Sequence, residues 1–215
     1  MTTFKNRSDA GKQLAVRLHT YQNKPDMLIL ALPRGGVPVA YEIANTLHAP
    51  MTTFLVRKLG VPGHEELAMG AIAEESHLFL NEELILQLGI TQSQIDGVLQ
   101  SEKNELQRRL QLYRHGKKLP PLNNKIVILV DDGIATGATL RVVIQALKSM
   151  SSKKIVIATP IASADSIALL APMVDTIVCL ETPEPFYAVG QGYTQFEQVD
   201  DDEVVRLLSA QQYPS

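Results

Sequence analysis

Three short runs in the second half of the chain, Lys125–Val130, Lys154–Thr159 and Thr176–Leu180, are apolar and rich in Ile and Val. Stretches of helical character at 138–150 and 163–171 separate them. A strand that is apolar on both sides needs cover on both faces, and strands that alternate with helices run parallel. The first half repeats the pattern more loosely. Met27–Leu32 is wholly apolar, a helical stretch carries Val39, Ala40, Ile43, Ala44 and Leu47, and Thr52–Val56 is apolar again. The expected fold is α/β: a doubly wound, mainly parallel sheet flanked by helices, with a helical insertion and a small hood.

A single domain over residues 1–215 is expected, with its core at about 20–75 and 122–181. The helical insertion lies at about 76–121. Its longest helix is expected at 91–114, where Ile95, Leu99, Leu106, Leu110 and Tyr113 form one stripe. Hood and tail occupy about 182–215, with an aromatic, Pro/Gly-rich segment at 181–197 and a short acidic helix at 200–209. Ser8 is expected to cap a first helix in which Ala10, Leu14, Ala15 and Leu18 share a face. Residues 59–68 hold Gly60, Pro62, Gly63 and His64 and read as an exposed loop; Met69–Ala73 and His77–Leu80 read as strands.

Charge and composition exclude several classes. The 20 basic and 23 acidic side chains give a net charge of −3, without any Lys/Arg block, so neither a nucleic-acid nor a membrane-surface partner is expected. The one cysteine, Cys179, cannot form an intramolecular disulfide and sits in an apolar run as a packed strand residue. No apolar run reaches membrane-spanning length and the N-terminus has no secretory h-region, so a cytoplasmic location is expected.

The chemistry concentrates in Val127–Thr139, VILVDDGIATGAT. In open α/β sheets ligands bind beyond the carboxyl ends of the strands, and this strand is left through Asp131-Asp132-Gly133 and then Ala135-Thr136-Gly137-Ala138-Thr139. Small residues running into a helix let backbone N–H groups approach an anion, and the helix N-terminus adds positive potential. Thr136 and Thr139 add hydroxyl donors. Two carboxylates beside such a nest would repel a phosphate unless they face sugar hydroxyls, a magnesium ion, or both. A phosphorylated sugar satisfies both halves. A capped tight turn explains the glycines but not the paired aspartates, and no G-x-x-x-x-G-K-[ST] or G-x-G-x-x-G is present.

This segment resembles the signature of the type I phosphoribosyltransferases, which take phosphoribosyl diphosphate (PRPP) as donor. The resemblance implies that Asp131 and Asp132 hold the ribose hydroxyls and a Mg²⁺ ion, while Ala135–Thr139 bind the 5-phosphate. Arg34-Gly35-Gly36 follows the first strand, where the family binds diphosphate in a loop with a non-proline cis peptide; here that bond would be Pro33–Arg34. Arg57-Lys58 and the loop after them resemble the strand end and mobile catalytic loop of adenine and orotate phosphoribosyltransferases, with His64 placed to contact diphosphate. Ala135 stands where hypoxanthine-type enzymes carry an aspartate, so the proton acceptor is sought instead at Glu74 or Glu75, after the loop. Phe186 and Tyr187 are candidates to stack on a planar base. The opening FKNRSDAGKQLA is similar to that of small bacterial members of the family.

The expected function is displacement of diphosphate from PRPP by a nitrogen nucleophile, a nucleobase or similar heterocycle, giving a ribonucleotide within nucleotide salvage. Arg34, Arg57, Lys58 and Mg²⁺ would stabilise the departing diphosphate, and loop closure would keep water from a cationic ribose. A homodimer is implied by the family. The alternative is a PRPP- or nucleotide-sensing regulator that keeps the loop without the catalysis. A ribose-phosphate diphosphokinase relative would need an ATP site and a duplicated chain.

Overall fold

The computed structural model describes residues 3–74 and 77–211. Helix α1, Arg7–Arg17, leads into β1, Met27–Ala31, then α2, Gly36–Leu47, and β2, Met51–Thr53. Later come β6, Ile126–Val130; α5, Ala138–Ser149; β7, Lys154–Ile161; α6, Ala164–Leu170; and β8, Thr176–Glu181. These strands form a five-stranded parallel sheet in the order β2-β1-β6-β7-β8, the doubly wound arrangement expected from the apolar runs. The helix at α1 begins earlier than expected. Asn6, extended at φ −161°, is the cap: its side chain accepts the Asp9 N–H, whereas Ser8 lies inside the helix and donates to Glu42 Oε1 at 2.5 Å.

Every residue of β1 and β6 is buried, because both faces of the sheet are covered. Met27, Ile29 and Ala31 pack with the α1 and α2 side chains Leu14, Val39 and Ile43. Leu28 and Leu30 point the other way, onto Val143, Ile144 and Leu147 of α5. The two-residue period thus turns one apolar run into two cores. Each large side chain so buried contributes about 1.5–3 kcal/mol.

Residues 52–68 depart from expectation, whereas the strands expected at Met69–Ala73 and His77–Leu80 are present. The run Thr52–Val56 is not one strand: β2 ends at Thr53, and Val56 opens β3, Val56–Val61, in a second sheet. Arg57 and Lys58 therefore lie inside a strand and do not end one. The expected loop at 59–68 is a hairpin, β3 against β4, His64–Ala73, turning on Pro62-Gly63 with Val61 paired to His64. Gly63 has φ +80°, which with proline before it is the type II turn that glycine favours. Only two residues form the turn, and the polar residues around it face solvent from strands. β5, Leu78–Leu80, adds to β4, where a strand is expected.

The helical part of the insertion is α3, Glu82–Leu88, and α4, Gln92–Arg114. A capping box of Thr91 and Gln94 starts α4, and Ile95, Leu106 and Tyr113 are buried on its inner face. Its last residue anchors it. Arg114 pairs with the buried carboxylate of Glu74 and donates to the Thr53 carbonyl at 3.3 Å, while Glu74 Oε1 accepts the Leu55 N–H at 2.8 Å. Glu74 is thus committed to joining β2, β4 and α4, which corrects its expected place as a proton acceptor; Glu75 lies outside the described residues. Removing one partner of a buried ion pair strands the other charge. Glu74→Ala should lose about 3–5 kcal/mol in urea unfolding, and Glu74→Met/Arg114→Met much less. Equal losses in the two variants would contradict this account.

Candidate functional site

The chain leaves β1 toward β2 on one side and enters the sheet again at β6 on the other. The crevice beyond the carboxyl ends of β1 and β6 is the topological switch point, the usual ligand position in such sheets. Ala31 pairs with Val130, so Pro33–Gly36 and Asp131–Gly133 leave neighbouring strands at the same level. They touch. A Cβ on Gly35 would lie 1.9 Å from Asp132 Oδ2, and one on Gly36 would lie 2.6 Å from the Val130 carbonyl oxygen. Only glycine fits between the two loops. The Pro33–Arg34 peptide is cis, as the resemblance implied.

The two aspartates differ in surroundings. Asp132 Oδ2 accepts from Arg7 Nε at 2.7 Å, and its backbone carbonyl accepts the Tyr193 hydroxyl at 2.5 Å. Asp131 Oδ1 accepts the Asp132 N–H at 2.9 Å, and no basic side chain pairs with Asp131 among the described residues. Burial first, and then the Asp132 charge, pushes the Asp131 carboxyl well above the usual carboxylate range.

Beyond the acids, the loop is built for an open helix end. Ile134 N–H bonds the Ile161 carbonyl at 2.9 Å, Ser163 N–H bonds the Ile134 carbonyl at 3.0 Å, and Ser163 Oγ donates to the Ala135 carbonyl at 2.7 Å. Gly137 takes φ +71° at the start of α5 and has no side chain to cap the helix, so the only side-chain bond there among the described residues is a long one, from Ala138 N–H to the Thr136 hydroxyl at 3.4 Å. Ala135, Thr136, Ala138 and Thr139 are exposed around that end. The first N–H groups of α5 thus face outward with the positive end of its dipole, an arrangement that can hold an anion.

The remaining expected residues divide. Arg34 is half-buried, with Nη1 3.9 Å from Asp201 Oδ1 at the start of α7, Asp201–Ala210. Lys58 lines a cavity of about 360 Å³ together with Ala138, Thr139 and Arg141. Arg57, the next residue on a strand, faces the opposite way and donates to Glu102 Oε2 on α4 at 2.6 Å. The expected Arg-Lys pair is therefore split, with only Lys58 beside the α5 end. His64 is exposed at the hairpin tip, where it opens β4 and pairs with Val61. Phe186 lines a cavity of about 590 Å³ with Ala135, Thr136, Ser163 and Pro183. Tyr187 is 82% exposed and does not line it.

Sequence reading missed Arg7, Tyr193 and Asp201. Each meets the site from a chain end, and no local spacing signals a contact such as that of Arg7 with a residue 125 positions away. The raised Asp131 carboxyl bears on stability. A carboxyl whose folded pKa exceeds its ordinary 3.8 binds a proton more strongly when folded, so its ionisation costs folded stability as pH rises above that value. Asp131→Asn keeps an oxygen for the Asp132 N–H. In ligand-free protein it should be more stable than wild type at pH 7, with the difference vanishing near pH 4. Urea unfolding across that range checks it; a difference that stays flat or shrinks with rising pH is the contrary result.

Known proteins share both the sequence and the fold. The family model described as "Phosphoribosyl transferase domain" matches residues 2–181. A Mycobacterium tuberculosis protein whose name assigns it provisionally to the phosphoribosyl transferases is 46% identical over 208 residues, which is 97% of this chain and 47% of that protein. The chain thus spans about half the length of the curated relatives it matches. The crystal structure of a Thermus thermophilus protein superposes with a TM-score of 0.82 at 32% identity, covering 98% of this chain and 99% of that one. A Neisseria gonorrhoeae structure with 14% identity and a TM-score of 0.52, covering 99% of both chains, shares the fold. No described helix is long and apolar enough to cross a membrane. With an acidic pair, an open helix end and a glycine loop meeting at one switch point, the chain belongs to the phosphoribosyltransferase family.

Proposed function

We propose that the chain is a Mg²⁺-dependent phosphoribosyltransferase that displaces diphosphate from PRPP with a nitrogen nucleophile, a nucleobase, to give a ribonucleotide and diphosphate. The observation that carries this reading is the contact of Gly35 with the Asp132 carboxylate. It sets a backbone loop suited to a diphosphate beside acids suited to a ribose, and the loop that carries the acids runs on into the weakly capped α5 N-terminus for the 5-phosphate. One ligand with an anion at each end and a sugar between them answers all three.

In this reading the N–H groups at Ala135–Thr139 bind the 5-phosphate, assisted by the Thr136 and Thr139 hydroxyls. Asp131 and Asp132 orient the ribose and favour the positive charge that develops at its anomeric carbon. Arg34 and the backbone of Gly35 and Gly36 take the diphosphate, and Lys58 adds charge from the hairpin. Arg57 reaches the diphosphate only by releasing Glu102, and His64 only by movement of the hairpin tip. The acceptor base enters beside Phe186, which offers a ring face in the cavity next to Ala135 and Thr136. Tyr187 joins it only on closure. The donor set suits Mg²⁺: hard carboxylate oxygens, with Asp131 lacking a basic partner among the described residues. Asp131, and Asp132 beside it, would hold the ion, which would supply charge neutralisation for the leaving diphosphate. A homodimer acting in cytoplasmic nucleotide salvage completes the proposal.

A second reading, a PRPP or nucleotide sensor, draws on the engagement of Arg57 by Glu102 and of Asp132 by Arg7. Protein incubated with PRPP, Mg²⁺ and pooled bases should yield a ribonucleotide detectable by mass spectrometry. Chelation of Mg²⁺ should stop it, and Asp131→Asn should lower kcat/KM by about 100-fold or more. Tight PRPP binding in calorimetry without turnover on any base would favour the sensor. Neither binding nor diphosphate release would sink both.

A further inference from the structure

Arg7, the first residue of α1, has no part in the proposed chemistry, yet it is bonded to the centre of the site. Its Nε donates to Asp132 Oδ2 at 2.7 Å and its Nη1 to the Glu197 carbonyl at 2.7 Å. Its guanidinium carbon lies 3.9 Å from the centre of the Phe196 ring. The side chain is 12% exposed and that of Asp132 16%. A hydrogen bond on two nitrogens and an aromatic face on the plane fix a guanidinium in position and angle, where a flexible surface pair would not.

The segment that grips Arg7 is itself tied to the chain's start. Phe4 N–H donates to the Gly192 carbonyl at 2.8 Å, Thr194 N–H to the Phe4 carbonyl at 2.8 Å, and Gln195 N–H to the Lys5 carbonyl at 3.0 Å. Phe4 packs on Tyr193 with ring centres 5.6 Å apart, and Tyr193 stacks on Phe196 at 4.9 Å. The Tyr193 hydroxyl returns to the Asp132 carbonyl. Asp132 is therefore held by its backbone on one side and its carboxylate on the other, with that carboxylate filling the space where Gly35 lacks a Cβ.

We propose that Arg7 is a positioning residue that holds the Asp132 carboxylate against the Arg34–Gly36 loop, so that Asp131 and the second oxygen of Asp132 meet the ligand at a fixed distance from that loop. The inference rests on the reading of the crevice as a PRPP site. Adjacent aspartates thereby take different duties. Asp132, with one oxygen already bonded to a guanidinium, forms a fixed wall that sets the loop's distance from the ribose. Asp131, whose carboxylate interacts only with the Asp132 N–H and side chain and pairs with no basic side chain among the described residues, is the acid without a cationic anchor. A bond that merely fastened α1 to the core would make no such distinction between the two acids.

Arg7→Gln, Arg7→Lys and Leu14→Ala separate these roles, since Leu14 is buried in α1 and only its loss of packing is felt. With stability measured in urea for each, Arg7→Gln should raise the KM for PRPP and its calorimetric Kd at least tenfold. Arg7→Lys, which keeps the charge but not the fork, should recover part of that, and Leu14→Ala should leave the KM for PRPP as in wild type. A wild-type KM and Kd in Arg7→Gln, or an equal rise in Leu14→Ala, overturns the proposal. If Arg7→Gln does not fold, Arg7→Lys carries the same test, its wild-type KM being the overturning result. Wild-type protein that neither binds PRPP nor turns it over defeats the functional reading instead. The crystal structure of ligand-free Arg7→Gln or Arg7→Lys then decides the positioning alone: the Asp132 carboxylate should leave its place against Gly35, and an unmoved carboxylate overturns it.

Discussion

The parallel pairing of Met27–Ala31 with Ile126–Val130 is the constraint on which the site depends. Two strands about 100 residues apart in sequence leave the sheet at one level, so the loops that continue them must share one crevice. One loop carries a glycine pair and the other an aspartate pair, packed so closely that Gly35 has no room for a Cβ beside the Asp132 carboxylate. Register creates this proximity, and burial holds the register. A shift by one residue would exchange Ile29 with Leu30 between the α1/α2 and α5 faces, and neither core would pack correctly.

Charge around that contact is balanced from the chain ends. Arg7 near the start bonds Asp132, and Asp201 near the end stands 3.9 Å from Arg34. Asp201 is in turn held by the Tyr113 hydroxyl and by Arg108, both on α4, which keep its carboxyl below the usual range. The insertion, the N-terminal helix and the C-terminal helix thus converge on a crevice whose own residues come from the core sheet. Asp131 stands apart from this balance. Buried beside a like charge and without a basic partner among the described residues, it keeps a destabilising carboxyl, the kind of local conflict that binding sites retain.

Much of the core was legible because its signals are local. The apolar runs at 27–32, 125–130, 154–159 and 176–180 mark β1, β6, β7 and β8 within a residue or two, and the stripe over 91–114 marks α4. The run Thr52–Val56 was misleading because apolarity does not say which sheet a strand joins. Phe54 and Leu55 are buried in different cores, and the chain changes sheets there. At 59–68 the abundance of turn residues concealed a hairpin whose turn is two residues long. Glu74 read as a candidate proton acceptor, since the arginine that neutralises it lies 40 positions further on.

By itself the sequence determined the alternation of strands and helices, the acidic pair, the small-residue loop running into α5, and the glycines at 35 and 36. Each comes from side-chain size, charge or periodicity within a short stretch of chain. Tertiary structure decided which of those pieces meet. It placed Lys58 beside the α5 end and turned Arg57 to Glu102, because neighbours on a strand point to opposite faces. It also brought Arg7, Tyr193 and Asp201 to the crevice, a placement that only the packing of distant segments against one sheet can produce.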